Sequence, residues 1–343
     1  MSDRSANERK LDHIRLALLQ KDDPPVAAGW DKVRLRPVAL PQTDVDDIQL
    51  ETEFLGFQLN APIMIAGMTG GHPGTEKVNR NLAIAAAECG VAIGLGSQRV
   101  ALADPGLCQT FAVARDHAPK AFLCGNIGIS QIANRLIGAR EIKSLIDMIA
   151  ANAMAVHVNV LQEIIQPEGS IDLKNALPAL ADFVERCPVP VIVKETGCGI
   201  DQATARRLSA MGVSALDVGG AGGTSFVTIE GARAEEMGEV GKSRLADTFS
   251  QWGLSTVEAV RQLGNFDLPV VATGGIRNGL HAAKAIGLGA DLAGIGSQML
   301  KAAVAGPDET TRELRTIIEE LKIAMVLTEC RIPFELRKKL FAA

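Results

Sequence analysis

The sequence contains no tyrosine, and aromatic residues make up only 3% of its 343 residues. It also lacks a basic stripe, because acidic and basic residues are interspersed along the chain and leave a net charge of −5. Nucleic-acid binding usually depends on clustered Lys and Arg, often with aromatic side chains that stack on bases. We therefore expect no nucleic-acid partner.

Long apolar runs are missing as well. The N-terminus is polar and charged, without the apolar segment of a secretory signal, and no run approaches the roughly 20 residues needed to cross a bilayer. These absences predict a cytoplasmic protein with no membrane partner. The cysteines lack the paired spacing of a zinc site or a redox dithiol, and we interpret them as reduced core or lining residues. They are Cys89, Cys108, Cys124, Cys187, Cys198 and Cys330.

What the sequence does contain is a repeated alternation of apolar strand candidates and helical stretches, at intervals of about thirty residues. Continuous apolar strands between amphipathic helices are typical of a parallel sheet buried on both faces. An open doubly wound sheet would show the same alternation, but eight such units favour a closed α/β structure, the (β/α)8 TIM barrel. The predicted strands are residues 62–66, 91–95, 121–124, 155–160, 189–194, 215–218, 270–273 and 292–295.

The remaining segments are predicted to flank this barrel within a single domain spanning 1–343. We divide that domain into an N-terminal arm (1–60), the barrel (61–305) and C-terminal helices (306–343). Within the arm we predict a helix at 5–20 and short strands at 33–37 and 48–57, and at the C-terminus helices at 307–327 and 334–341. The connection 219–253 is long enough to predict a lid or a disordered loop.

Two glycine turns stand out where the seventh and eighth predicted strands end. The first includes Gly274, Gly275 and Arg277, and the second includes Gly296 and Ser297. Bare backbone amides at a loop and a following helix N-terminus attract an anion, and these two loops commonly hold a phosphate in a TIM barrel. The alternative is a pair of tight turns without a ligand. We favour a phosphate site because adjacent units share the feature.

Polar residues also follow the other predicted strands. The fourth strand is the most informative, because His157 and Asn159 alternate with valines and should point inward together. Gln162 and Glu163 follow at its exit, and Glu163 suits Mg²⁺. The alternative is a satisfied core histidine beside a solvated glutamate. Since four buried polar groups in series are costly without a ligand, we predict a binding site.

Two further positions have more than one interpretation. Lys194, at the end of the fifth strand, could form a Schiff base or stand as a fixed cation against an anionic cofactor ring. Arg9 and Lys10 lie beside His13 on the predicted first helix, where such a group is usually a solvated face. The turn Gly219–Ser225 after the sixth strand is another glycine-rich nest, and Glu230 follows it.

Taken together and in order, these motifs resemble those of the type II isopentenyl diphosphate isomerase family, over nearly the whole chain. Each motif alone is weak, but their combination is specific. The motifs are Arg9-Lys10 with His13, Gly67-Met68-Thr69-Gly70-Gly71, Ser97-Gln98-Arg99, His157-Val158-Asn159-Val160-Leu161-Gln162-Glu163, Gly219 to Ser225, and Gly274-Gly275-Ile276-Arg277-Asn278-Gly279.

The resemblance implies an enzyme of isoprenoid biosynthesis that uses FMN and Mg²⁺ to interconvert isopentenyl and dimethylallyl diphosphate by a 1,3-proton shift. It implies reduced FMN as the acid and base, NADPH as reductant, Glu163 as the Mg²⁺ ligand, and a homo-oligomer, tetrameric or octameric. The diphosphate substrate would be bound by Arg9, Lys10, Ser97, Arg99 and Gln162. FMN would be bound by Gly67, Met68, Thr69, Ser97, Asn126, Lys194, Thr224, Gly274, Gly275, Arg277, Gly296 and Ser297. Supporting residues on the substrate side would be His13, His157, Asn159, Gln162 and Glu230.

The sequence departs from the family pattern at Phe226, where a larger aromatic is expected, at His281, where an acidic residue is common, and at Thr196–Gly199. These departures concern the shape of the pocket. Three other functions stay open. They are an FMN-dependent 2-hydroxy-acid dehydrogenase, whose expected histidine base is missing after the sixth strand, a Schiff-base lyase using Lys194, and a non-catalytic barrel that binds a phosphorylated metabolite.

Overall fold

The N-terminal segment precedes the barrel and closes one end of it. The computed structural model describes residues 4–20, 24–169 and 172–341, with side chains from Lys10 onward. Helix α1 (Arg4–Leu19) confirms the predicted first helix. Strand β1 (Thr52–Phe54) lies within the second predicted strand, 48–57, and forms a hairpin with β2 (Phe57–Leu59), which overlaps that prediction only at Phe57. The strand predicted at 33–37 is wrong, because Leu35 makes only an isolated bridge to Leu340.

Eight parallel strands then close into a barrel, which confirms the predicted (β/α)8 fold. Each predicted strand is present, with ends shifted by up to four residues. The strands are β3 (Ile63–Ile65), β4 (Ala92–Gly94), β5 (Leu123–Gly128), β6 (Ala153–Val158), β7 (Val191–Glu195), β8 (Ala215–Asp217), β9 (Val270–Thr273) and β10 (Leu292–Ile295).

The helices surround this barrel. Those from the first half are α2 (Pro73–Cys89), α3 (Arg99–Ala103), α4 (Gln109–His117), α5 (Ile129–Ala133), α6 (Ala139–Asp147), α7 (Val160–Ile165) and α8 (Ala176–Arg186). Those from the second half are α9 (Gln202–Ser209), α10 (Phe226–Glu236), α11 (Val240–Thr248), α12 (Thr256–Leu263), α13 (Gly279–Gly287), α14 (Ser297–Ala305) and α15 (Pro307–Leu327). No helix in the described ranges has the length and apolar character that spanning a bilayer requires.

Alternation along the strands separates two cores. In β3, Ile63 and Ile65 pack outward against the helices, whereas Met64 points into the barrel. The inward positions of neighbouring strands are mostly small, including Ala92 and Ala155, which leaves room for large side chains from below. Phe54 of the hairpin supplies one of them, and its ring lies 5.7 Å from that of Phe122. The hairpin therefore seals the N-terminal end of the barrel, so that ligands must enter at the C-terminal end.

Three further expectations need correction or refinement. The connection 219–253 is not a disordered loop, since it contains α10 and α11. Residues 307–327 form α15 as predicted, but the helix predicted at 334–341 is a 3₁₀ segment, Pro333–Lys338. Strand β6 ends at Val158, so Asn159 is the N-cap of α7 rather than a strand residue. The division into arm, barrel and C-terminal helices stays a prediction.

Candidate active site

A deep cavity opens at the C-terminal ends of the barrel strands, where each of the eight strands or the loop directly after it contributes lining residues. Helix α1 lies against this mouth and contributes Lys10, His13, Ile14 and Ala17. The Lys10 ammonium donates to the carbonyl oxygen of Ser97, 3.3 Å away. A segment that precedes the barrel in sequence thus forms part of the wall of its mouth.

The end of β6 is tied to β5 by a side-chain hydrogen bond. His157 Nδ1 lies 2.7 Å from Asn126 Oδ1, and Asn126 Nδ2 donates to the carbonyl oxygen of Leu95 at 3.0 Å. The carbonyl therefore fixes which end of the Asn126 amide accepts, and His157 must donate from Nδ1. The contact with Asn126 therefore fixes the orientation of the His157 ring at the mouth.

The first turn of α7 gathers the other polar residues of this side. Asn159 Nδ2 donates to Gln162 Oε1 at 3.2 Å and to Glu163 Oε1 at 3.3 Å. Ser130 also donates to Glu163 Oε1, at 3.3 Å. Residues three and four apart on a helix share a face, so the helical turn itself brings Gln162 and Glu163 to the mouth beside their N-cap. The carboxylate of Glu163 is thus oriented by the neutral donors Asn159 and Ser130.

Glu230 on α10 is fully buried behind the cavity wall. Its Oε1 lies 2.8 Å from His13 Nε2 and accepts from Gln162 Nε2 at 3.1 Å, while its Oε2 accepts from Arg233 at 2.5 Å. Burial alone would raise the pKa of Glu230, but the hydrogen bonds and positive charges of His13 and Arg233 outweigh burial and lower it. Glu230 is therefore held as a carboxylate at neutral pH.

Lys194 and Glu195 diverge at the end of β7. The Lys194 ammonium faces the cavity, 3.7 Å from Asp217 Oδ2, and donates to the carbonyl oxygen of Glu195 at 2.8 Å. Glu195 Oε2 accepts backbone N–H groups of the following turn, at 2.6 Å from Thr196, 2.7 Å from Gly197 and 3.1 Å from Gly199, and it also accepts from Cys198. Burial raises the pKa of Glu195 to about 7 despite these donors. Glu195 thus shapes the turn beside Lys194.

Glycines of three adjacent loops form the opposite wall. A Cβ on Gly223 would lie 2.8 Å from the backbone nitrogen of Gly275, and one on Gly274 would lie 2.4 Å from the carbonyl oxygen of Gly220. Gly274 and Gly275 have φ of 130° and 65°, which favours glycine. Gly296 lines the cavity directly before α14. The loops after β8, β9 and β10 therefore present closely packed backbone amides, as a phosphate site requires.

Several buried polar atoms at the mouth have no hydrogen-bond partner among the described residues. They are Thr69 Oγ1, Asn159 Oδ1 and Thr273 Oγ1. Since buried polar groups are normally paired, atoms of this kind beside a cavity indicate positions where a ligand supplies the partner. In the described chain no three His, Cys, Asp or Glu side chains cluster as a metal site, so a metal here would depend on ligands from elsewhere.

Most residues proposed from the sequence line this one cavity. They are Lys10, His13, Gly67, Met68, Thr69, Ser97, Arg99, Asn126, His157, Asn159, Gln162, Glu163, Lys194, Thr224, Gly274, Gly275, Gly296 and Ser297. Glu230 lies one layer behind the lining, and Arg277 lies outside it. The side chain of Arg9 is outside the described residues.

Other lining residues were not singled out from the sequence. Gln131 comes from α5, and Gln166 directly follows α7. Ile14, Ala17 and Leu300 add apolar surface. No local pattern in the sequence indicated that these residues face the mouth of the barrel.

Comparison with known proteins gives two consistent results. Residues 130–342 match the family model of the FMN-dependent dehydrogenases. Over most of its length the chain is similar to proteins named isopentenyl-diphosphate delta-isomerase. It is 44% identical to one from Methanococcoides burtonii, covering 97% of this chain and 91% of that protein. It is 42% identical to one from Methanoregula boonei, covering 94% and 90%.

Solved structures support the same architecture. A mandelate oxidase variant carrying an FMN adduct superposes with a TM-score of 0.61 at 17% identity, covering 97% of this chain and 92% of that one. A flavocytochrome b2 variant superposes with a TM-score of 0.65 at 17% identity, covering 96% and 82%. At such low identity these likenesses concern the fold alone.

Proposed function

Because the chain belongs to the isopentenyl-diphosphate delta-isomerase family, built on the barrel of the FMN-dependent dehydrogenases, we propose a division of its mouth into a cofactor side and a substrate side. The enzyme uses FMN and interconverts isopentenyl and dimethylallyl diphosphate. The observation that carries the proposal is the placement of both kinds of wall in one cavity, backbone amides on one side and His157, Gln162 and Glu163 on the other.

FMN fits the cofactor side on the donors that the chain offers. The amides around Gly274, Gly275 and Gly296 suit its phosphate, and the unpartnered hydroxyls of Thr69 and Thr273 are available to its polar atoms. Lys194 would stand as a fixed positive charge beside the ring system. When bound in reduced form, FMN supplies an electron-rich ring whose nitrogens exchange a proton. The backbone and hydroxyl groups hold the cofactor, and Lys194 stabilises negative charge on it.

On the substrate side, the diphosphate would be bound by the cations at the mouth. Lys10 and Arg99 line the cavity from α1 and α3, and Arg9 is proposed to join them. We propose that Glu163 binds Mg²⁺, with water and the substrate diphosphate as the remaining ligands. Mg²⁺ is commonly held in this way, by one or two carboxylates and substrate phosphates, and Glu163 supplies one carboxylate at the mouth. The ion would neutralise diphosphate charge and fix its position.

The five-carbon end of the substrate would lie among His13, His157, Asn159 and Gln162. These residues are oriented by hydrogen bonds to one another or to buried partners, so they present fixed polar groups around an otherwise apolar alkene. An alkene protonated to a tertiary carbocation-like state is stabilised by nearby negative charge and by exclusion of water. Helix α1 contributes Ile14 and Ala17 to the wall of the mouth and would exclude water from the bound alkene.

Two further features are part of the proposal. NADPH would serve as the reductant that brings FMN to its active form. A homo-oligomer, tetrameric or octameric, would be the assembled state. Dependence of turnover on NADPH under anaerobic conditions, and the mass of the purified protein in solution, test these two features separately.

The experiment that tests the function begins with the absorbance spectrum of the purified protein, which should show bound flavin. Anaerobic incubation with FMN, a reductant, Mg²⁺ and isopentenyl diphosphate should then yield dimethylallyl diphosphate. The proposal would be rejected if the purified protein is colourless and does not bind added FMN, or if the flavin-loaded protein forms no product. Borohydride trapping of a carbonyl substrate on Lys194 would instead support the lyase.

The match to the FMN-dependent dehydrogenase model suggests an alternative function, that of an FMN-dependent 2-hydroxy-acid dehydrogenase. Such an enzyme needs a histidine base beside the flavin and an arginine for the carboxylate. The residues that follow β8 are Val218, Gly219, Gly220 and Ala221, which provide no base. We expect no flavin reduction by lactate or mandelate, measured as bleaching of the flavin absorbance.

A further inference from the structure

A group of charged residues lies behind the substrate side of the cavity and does not line it. Its centre is the buried Glu230, and its cation is Arg233, one turn later on α10 and 5% exposed. Arg233 donates to Glu230 Oε2 at 2.5 Å and to Glu168 Oε1 at 2.9 Å, and its Nε lies 3.7 Å from Asp12 Oδ2. The guanidinium therefore joins three carboxylates from three different parts of the chain.

The two oxygens of Glu230 have different partners. Oε2 faces Arg233, whereas Oε1 faces the two cavity residues His13 and Gln162. An ionised carboxylate can only accept hydrogen bonds, so both cavity residues must donate to it. Gln162 thus points Nε2 at Glu230, and its Oε1 accepts from Asn159. The charge state of Glu230 decides the orientation of the Gln162 amide and the protonated nitrogen of His13.

His13 and Arg233 together maintain that charge state, because both lower the pKa of Glu230, His13 the more, and Arg233 is the partner whose charge is permanent. A buried carboxylate without a cation tends to take up a proton, and a protonated Glu230 would become a donor. It would then compete with the donors His13 and Gln162, and the Gln162 amide could turn over. With Arg233 in place the carboxylate stays ionised and its second oxygen is fully used, so a single arrangement is favoured.

A purely structural role, in which Arg233 only joins α1 to α10, is a weaker explanation. Arg15 of α1 already pairs with Glu236 of α10 at 2.8 Å on the surface, where both side chains are about half exposed. The contact of Arg233 with α1 is the longer 3.7 Å approach to Asp12. Its short contacts go to Glu230 and Glu168, and those are the contacts that bear on the cavity.

We propose that Arg233 is a positioning residue for the isomerase reaction, acting through Glu230 to fix the donor orientation of Gln162 and His13. This inference rests on the proposed function. It adds a residue that never touches the substrate, and it assigns Glu168 the role of holding Arg233 in place from the far side.

The experiment is a double-mutant cycle on the flavin-loaded enzyme, with kcat expressed per bound flavin. Arg233→Met should lower kcat by roughly 10- to 100-fold, because a misplaced reacting geometry has effects of that size, with a smaller change in KM. Glu230→Gln should also lower kcat. Adding Arg233→Met to Glu230→Gln should change kcat by no more than about twofold, since the carboxylate through which Arg233 acts is already gone.

Two conservative variants keep the test informative if Arg233→Met does not fold. Arg233→Lys retains the charge but not the fork of donors, so it should recover part of the lost kcat. Glu168→Gln should lower kcat in the wild-type background and have no effect in Glu230→Gln. Arg15→Met is the matched control, because it removes the surface link between the same two helices and should leave kcat within about twofold of wild type.

Additive losses in the cycle, or a kcat for Arg233→Met equal to that of wild type, would overturn the inference while leaving the isomerase function intact. The same holds if Arg15→Met reproduces the loss, because a helix link would then suffice. A wild-type enzyme that binds flavin but forms no product would overturn the proposed function, and this inference with it.

Discussion

The two walls of the barrel mouth consist of different chemical groups. After β8, β9 and β10 the wall consists of backbone amides and small residues, with glycines at Gly223, Gly274, Gly275 and Gly296. After β5, β6 and β7 it consists of side chains whose charges and hydrogen bonds depend on one another. In the proposed function one wall would bind an anion without a titrating group, whereas the other would bind and orient the substrate through groups whose protonation matters.

This difference predicts different sensitivities. A backbone site is insensitive to pH but fails when any Cβ intrudes, because the loops already lie in contact. A side-chain site changes its function when one partner is neutralised, since the remaining polar groups rearrange. Substitutions that separate cofactor binding from substrate chemistry therefore test the comparison directly.

The largest effect is expected from Gly275→Ala on the cofactor side. A Cβ there would lie 2.5 Å from the carbonyl oxygen of Gly222 and 2.7 Å from Ala28 Cβ, in a residue with φ of 65°. The loop must move, so we expect the Kd for FMN to rise by at least about 100-fold, as measured by flavin fluorescence titration of the apoprotein.

Gly238→Ala is the matched control for that substitution. Gly238 has φ of 76° but no atom within 4 Å of its added Cβ, so it carries the same backbone strain without a contact at the cavity. Its Kd for FMN should equal that of wild type. Equal weakening by both variants would show that a general loss of stability accounts for the effect, and the turn at Gly275 would then not be a phosphate site.

A smaller effect, confined to the other wall, is expected from Glu163→Gln. The Mg²⁺ concentration that gives half-maximal activity should rise on the order of 10- to 100-fold, because a neutral amide is a poorer ligand for a hard cation. The Kd for FMN should not change.

Ser130→Ala provides the matched control for Glu163→Gln, since it removes a hydrogen bond to Glu163 but leaves the carboxylate. It should alter the Mg²⁺ dependence much less. If Glu163→Gln leaves the Mg²⁺ dependence unchanged, the metal is bound elsewhere. If it weakens FMN instead, the two walls are not separable in the way proposed.

The cofactor wall was the easier part to predict from the sequence, because its signal is local. Paired glycines directly after an apolar strand specify a turn with bare amides whatever the rest of the chain does. The eight strands were predictable for the same reason, since apolar runs recur with the barrel spacing. Their ends were not, because a strand ends where its neighbour stops pairing, and Asn159 accordingly begins α7.

The substrate wall was harder to predict from the sequence, because its side chains are positioned by contacts between segments that are distant in the chain. Arg233 gave no signal, since 219–253 was predicted as a loop and the spacing between Glu230 and Arg233 has meaning only on a helix. The four amides that meet Glu195 depend on the conformation of the turn that follows it. Such contacts are properties of the folded chain and leave no pattern in composition or periodicity.

The smallest expected effect concerns Glu195, which has a pKa of about 7 in the folded protein against an ordinary value of 4.5. Between these two pH values the folded protein retains a proton that the unfolded chain has released. The contribution of Glu195 to the free energy of unfolding is therefore fully present at low pH. It decreases as the pH rises from about 4.5 toward 7. Glu195→Gln keeps an oxygen for the backbone amides but cannot titrate.

The Tm of the wild-type apoprotein should thus fall relative to Glu195→Gln by a few degrees between pH 5 and pH 7.5, as differential scanning fluorimetry would measure. Glu235→Gln, at an exposed position on α10, should show no such trend relative to wild type. A flat difference for Glu195→Gln would mean that the four amide donors hold Glu195 ionised throughout. Glu195 would then contribute nothing to the pH dependence of stability in this range.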